Sequence, residues 1–229
     1  MTMRDINNEF AGKVFSQELY EECSNKAFLA ALRDFKVFKL ELREEDYMID
    51  VYAYLTEEDR ELKRNPVFSI ELEVNKCMES WTREDGYPKN SVNFLARKMK
   101  FLREAYTPFY LMYNFNLSDC LITPIAKLSK YQPTREVTSY GPDFFIKVPT
   151  QFVTFNPENL ETAIIKYLVS QADAVYQAMG HQGYFIGEPD DYIKFAQENP
   201  EIIRHIADIS NRVQRATFGH YDHIQNEVH

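Results

Sequence analysis

The stretch Ser69-Ile70-Glu71-Leu72-Glu73-Val74-Asn75-Lys76 alternates apolar and polar residues with a period of two. That period suits a strand. Ile70, Leu72 and Val74 fall on one side, and Glu71, Glu73 and Asn75 on the other. Residues 47–55 repeat the arrangement, with Ile49, Val51, Ala53 and Leu55 on the greasy side and Asp50 opposite. Two carboxylates on one strand face repel unless something positive sits between them. Two readings stand. If the strands are hairpin neighbours, Asp50, Glu71 and Glu73 converge and offer a divalent metal hard oxygen ligands. Otherwise they are the wet faces of two half-exposed strands.

Around this pair the chain reads as an α/β protein. Ser16 suits the cap of a helix over 16–34, with Glu18, Glu21 and Glu22 in its first turns. Strands follow at 35–42, 47–55 and 67–75, and the charged segment 56–66 reads as a hairpin loop with room for a helical turn. Residues 76–90 have no period and hold the single tryptophan, Trp81. Over 90–106, Val92, Leu95, Met99, Leu102 and Tyr106 have helical spacing. That helix carries Arg97, Lys98, Lys100 and Arg103, the densest basic cluster in the chain. It is either a solvated face or one that contacts phosphates and balances the carboxylates. Residues 109–115 are dense enough in aromatics for a strand covered on both faces. Residues 120–125 and 144–155 read as further strands, the latter two short ones or one broken by Pro149. A helix spans 159–179.

Gly180, Gly183 and Gly187 then break the chain. This divides it into an α/β domain, 1–180, and a helical C-terminal appendage, 181–229. In the appendage Ile202, Ile206, Ile209, Val213 and Ala216 form a short heptad seam, interrupted upstream by Pro200. The seam packs on the parent domain or on another subunit. His220 and His223 are spaced for metal ligation, but no third ligand lies near them in sequence.

Composition narrows the function. The formal net charge of −9 disfavours a protein that coats nucleic acid without specificity, while leaving room for a local basic groove. Cys23, Cys77 and Cys120 are widely spaced and odd in number, which fits a reducing, cytoplasmic setting better than a disulfide framework. No apolar signal core opens the sequence, and no apolar run is long enough to span a membrane. There is no P-loop, GxGxxG or nucleophile elbow, so NTPases, dinucleotide enzymes and serine hydrolases are disfavoured.

Over residues 16–115 the order helix, strand, strand with Asp50, strand with Glu71-x-Glu73, helix, strand resembles the core of the PD-(D/E)XK nuclease superfamily. The resemblance implies a restriction-endonuclease-like core, a mixed central sheet flanked by helices. Asp50 matches the family's first acid and Glu71 its second. Glu73 stands where the family usually has lysine, similar to a variant found in some restriction enzymes. Lys98 is then a migrated substitute, and Glu18 or Glu22 matches the extra acid the family often places on its first helix. The implied activity is phosphodiester hydrolysis dependent on Mg²⁺ or Mn²⁺. Asp50 and Glu71 are the implied metal ligands, and Asp50, Glu71, Glu73 and Lys98 the catalytic set. Arg97, Lys98, Lys100 and Arg103 are the implied nucleic-acid contacts. The alternative is a nuclease-like protein without catalysis that binds or assembles through protein contacts, with the C-terminal helix as the route to a protein partner or homo-oligomer.

Overall fold

The computed structural model describes residues 17–43, 48–75, 87, 89–138, 141–181 and 191–218. Helix α1 (Gln17–Leu32) leads into β1 (Lys39–Leu42), β2 (Val51–Tyr54), a short α2 (Glu57–Glu61) and β3 (Phe68–Asn75). Thr56 caps α2 by accepting the Asp59 N–H at 3.0 Å. These strands form an antiparallel meander, and β5 (Thr107–Asn114) lies parallel to β3, with Phe68 opposite Thr107 and Asn75 opposite Asn114. β6 (Cys120–Pro124) and the short β9 (Thr154–Phe155) extend the sheet antiparallel, giving six strands in the order β1-β2-β3-β5-β6-β9. All eight residues of β5 are buried, as the aromatic run predicts for a strand covered on both faces.

One face of this sheet packs on helices. Ile70, Leu72, Phe109 and Leu111 share a core with Ala27 and Ala31 of α1 and with Ile164 and Leu168 of α4 (Leu160–Ala178). α5 (Tyr192–Glu198) and α6 (Pro200–Phe218) join that same core through Tyr192, Ala196, Ile203 and Ile206. The helical segment beyond residue 181 therefore buries its apolar side on the sheet. Its inward stripe is turned from the expected seam: Ser210, Asn211 and Gln214 are buried while Ala216 is exposed. Asn211 explains the rotation. Its Oδ1 accepts the Thr107 N–H at 2.7 Å and the Thr107 hydroxyl at 2.8 Å, and its Nδ2 donates to the Val67 carbonyl at 3.3 Å. Polar side chains face inward because they cap the leading ends of the parallel strands.

The other face carries a second layer. β4 (Ser91–Leu95), β8 (Gly141–Pro149) and β7 (Pro133–Thr138) form a three-stranded antiparallel sheet in the order β4-β8-β7. A one-turn α3 (Ile125–Leu128) follows β6. Val92, Phe94, Ile146 and Val148 pack on Tyr110, Met112 and Leu121 of the main sheet. The helix expected over 90–106 is thus replaced by β4 followed by a 3-10 helix, Ala96–Arg103. Val92 fits both periods but Phe94, two residues on, fits only the strand, and pairing with Val148 and Ile146 of β8 fixes it. Among the described residues, no helix is long and apolar enough to cross a membrane.

Candidate functional site

β2 and β3 stop pairing at Val51–Ile70. Beyond that point the Leu72 N–H, which a ladder carbonyl would otherwise take, donates to Asp50 Oδ2 at 2.7 Å. The substitution of a side chain for a backbone acceptor holds Asp50 at the mouth of the splayed strands. Glu71 and Glu73 project from β3 on the face opposite Ile70 and Leu72. The second layer covers Glu71 on that face, so for Glu71 the reading as a solvated strand face does not hold, while Asp50 and Glu73 are half-buried. Glu71 is 0% exposed, and the covering elements come from sequence far downstream.

Lys98 enters this site from the 3-10 helix. Its Nζ donates to Glu71 Oε1, with the lysine side chain 17% exposed. Among the described residues, no hydrogen-bond donor reaches the buried Glu71 Oε2. Burial and the neighbouring Asp50 charge push the Glu71 carboxyl up to about 8, against the pull of Lys98. Burial also raises Asp50, offset by the Lys98 charge, the Leu72 N–H and a hydrogen bond with Glu71. As two carboxylates neither can donate to the other. A proton on Glu71, or a cation between them, would satisfy the orphaned oxygen. Glu73 lies one pleat further along β3 and accepts the Tyr110 hydroxyl. Burial raises Glu73, and the Tyr110 bond and the charges of Lys98 and Arg97 oppose the rise.

The structure therefore brings Asp50, Glu71, Glu73 and Lys98 together. Among the described residues, however, no group of three or more His, Cys, Asp or Glu is spaced to hold a metal ion. Asp50 and Glu71 are the carboxylates that could hold a divalent cation, with Glu73 turned to Tyr110. Two carboxylates with an orphaned oxygen fit Mg²⁺, which commonly takes one or two protein carboxylates and completes its shell with water and substrate phosphate. The basic cluster divides. Lys98 points inward, while Arg97, Lys100 and Arg103 are exposed. Arg97 lies 3.4 Å from Asp143 Oδ2, and the Lys100 ammonium sits 4.9 Å over the Phe101 ring.

Tyr110 is the site residue that sequence reasoning missed. It stands opposite Glu71 in the parallel register of β3 and β5. A register between strands almost forty residues apart leaves no local signature. The Trp81 loop, Lys76, and the His220 and His223 pair lie outside the described residues, as do the side chains of Glu18 and Glu22.

No protein-family model matches the chain, and no curated protein sequence does. Among solved structures, the chain is similar to D212, a nuclease from a fusselovirus, at 16% identity and a TM-score of 0.36, over 64% of this chain and 89% of that one.

Proposed function

We propose that the chain is a metal-dependent nuclease whose centre is Asp50, Glu71, Glu73 and Lys98. The observation that carries this reading is half-buried Asp50 beside fully buried Glu71, whose Oε2 has no hydrogen-bond partner among the described residues. A fold that needed only stability would gain by replacing such a pair with apolar side chains. Asp50 and Glu71 would hold Mg²⁺ or Mn²⁺. When bound, the cation supplies positive charge against the phosphate and makes water more acidic.

The remaining work belongs to the chain's own residues. Lys98 balances Glu71 in the cation-free protein. Its ammonium would also be placed to hold a substrate phosphate oxygen. Arg97, at the exposed end of the same helix, holds the adjoining phosphate. Glu73 is the proton acceptor. Its raised carboxyl is a better base than an exposed glutamate, and the Tyr110 hydroxyl fixes the direction from which it accepts. The second layer keeps bulk water from the rear of the site, which strengthens each of these interactions.

One observation favours a second reading, a nuclease-like binding protein without catalysis. Glu73 occupies the place of the expected lysine, and Lys98 is already committed to Glu71. The test is cleavage of end-labelled single-stranded DNA, duplex DNA and RNA with Mg²⁺ or Mn²⁺, beside calorimetric titration of Mn²⁺. The nuclease reading expects cleavage and Mn²⁺ binding that Asp50→Asn and Glu71→Gln both abolish. Nucleic-acid binding without cleavage under any of these conditions would support the second reading.

A further inference from the structure

The β7–β8 hairpin runs past the layer it belongs to. Ile146 and Val148 of β8 are buried against the main sheet, but Phe144, on the same strand face, is 53% exposed. Arg135 of β7 stands directly opposite Phe144, and Val137, 87% exposed, opposite Pro142. The inner face of the arm thus presents an aromatic ring, a guanidinium and two apolar residues to solvent. Exposed apolar residues grouped in this way mark an interaction surface.

The arm's position gives that face a meaning. Leu95 at the end of β4 pairs with Phe145, so the 3-10 helix bearing Arg97 and Lys98 springs from beside Phe144. Arg97 ties the two elements through Asp143 at 3.4 Å. Residues 96–103 and 130–147 together carry seven Lys and Arg against two Asp and Glu, in a chain whose net charge is −9. Both of those acids are paired with cations of the same segments, Asp143 with Arg97 and Glu136 with Lys147 at 2.5 Å. Arg135 beside the ring and Arg97 on the adjoining helix bring positive charge next to the exposed aromatic face, and the polyanion such a face suits is one whose bases can also leave a stack.

We infer that the β7–β8 hairpin is a stacking platform for single-stranded nucleic acid, with Phe144 taking an unpaired base and Arg135 flanking it. This rests on the nuclease reading and narrows its substrate to single strands or frayed ends. A duplex has no free base face to offer Phe144. A strand laid on the platform would continue over Arg97 toward Lys98 and the carboxylates.

The test is fluorescence anisotropy with a labelled 20-nucleotide oligo(dT), oligo(U) and a 20-base-pair duplex, in EDTA so that nothing is cut. Circular dichroism checks that each variant is folded. Phe144→Ala is expected to weaken oligo(dT) or oligo(U) binding by about 5- to 100-fold, as loss of one base stack does, and to leave duplex binding within about twofold. Phe144→Trp should bind as tightly as the parent or more tightly. Phe152→Ala removes an exposed aromatic at the opposite end of β8 and should change nothing. If the parent binds single strands and Phe144→Ala binds equally well, the platform is refuted while the nuclease reading stands, and Phe144 is left as a contact for a protein partner. If the parent prefers duplex, the single-strand assignment is wrong. If the parent binds no nucleic acid, the nuclease reading falls first and the platform with it.

Discussion

Glu71→Gln should stabilise the protein while removing its capacity for a divalent cation. The folded carboxyl keeps its proton up to about 8, against an ordinary value of 4.5, because it is buried beside Asp50. An acid raised in the fold contributes its full stability below about 4.5, and that contribution is lost as pH rises toward 8, because the folded chain binds the proton that the unfolded chain releases. Between pH 4.5 and 7 the loss has a ceiling of about 3 kcal/mol, at roughly 1.4 kcal/mol per pH unit. Glutamine carries no such proton, keeps the side-chain length, and offers an amide N–H to Asp50. Its amide carbonyl accepts from Lys98 as the neutral carboxyl does, so that bond is kept. Relaxation and water entry around the site take up part of the ceiling, so the variant should be more stable than the parent by about 1–2 kcal/mol at pH 7 in EDTA. The advantage should grow toward pH 8.5 and disappear by pH 4.5. Mn²⁺ at a hundredfold excess over its dissociation constant should stabilise the parent by about 2.7 kcal/mol and leave the variant unmoved, reversing the order. Urea unfolding followed by circular dichroism, with and without Mn²⁺, measures each quantity. A variant less stable than the parent at pH 8.5 in EDTA would refute the reasoning. It would make Glu71 the ionised half of a structural ion pair.

Four further outcomes follow from the packing. Asn211→Ala should cost about 2–3 kcal/mol by stranding the Thr107 N–H and the Val67 carbonyl, read from the urea midpoint. Asp59, 6% exposed, is held down to about 2: burial raises it, but bonds from Arg204, Thr56, Arg64 and Asn65 outweigh that. A lowered acid contributes above its ordinary value of 3.8 and loses that contribution as pH falls toward 2, so Asp59→Asn should destabilise at pH 6 by about 2 kcal/mol and hardly at all at pH 2. Glu161 accepts the Lys36, Val37 and Phe38 N–H groups at 2.8–2.9 Å, and Glu161→Gln should speed hydrogen exchange at those three amides about tenfold or more. Deleting 200–218 should unfold the protein, seen as loss of the cooperative transition, because Ile203 and Ile206 belong to the core; a folded product of altered oligomeric state would count against this.

The strands were legible where one period ruled. The alternation about Glu71 and the continuous apolar run at 109–113 each correspond to a strand, and the acids of neighbouring strands meet as a hairpin requires. Legibility ended where partners lay far away. Nothing local shows that residues 91–95 and 141–149 cover the carboxylate face, so Glu71 reads as wet although it is fully buried. Val92 fits two periods, and only β8 separates them. The stripe of α6 is rotated because Asn211 answers donors and acceptors over a hundred residues upstream. Tyr110 reaches Glu73 through a parallel register that neither strand specifies alone.

The clamp of α6 on the parallel strands also sets a clock. Thr107 waits 104 residues for Asn211. At about 5–20 residues per second of synthesis, the leading edge of β5 stays uncapped for roughly 5–20 s after it is made. Over that interval Phe109, Leu111 and Tyr113 lack much of their eventual helical cover, since α4, α5 and α6 all arrive later. A growing chain of this kind presents its most aggregation-prone strand long before it can bury it, and its yield should depend on how quickly the last helix follows.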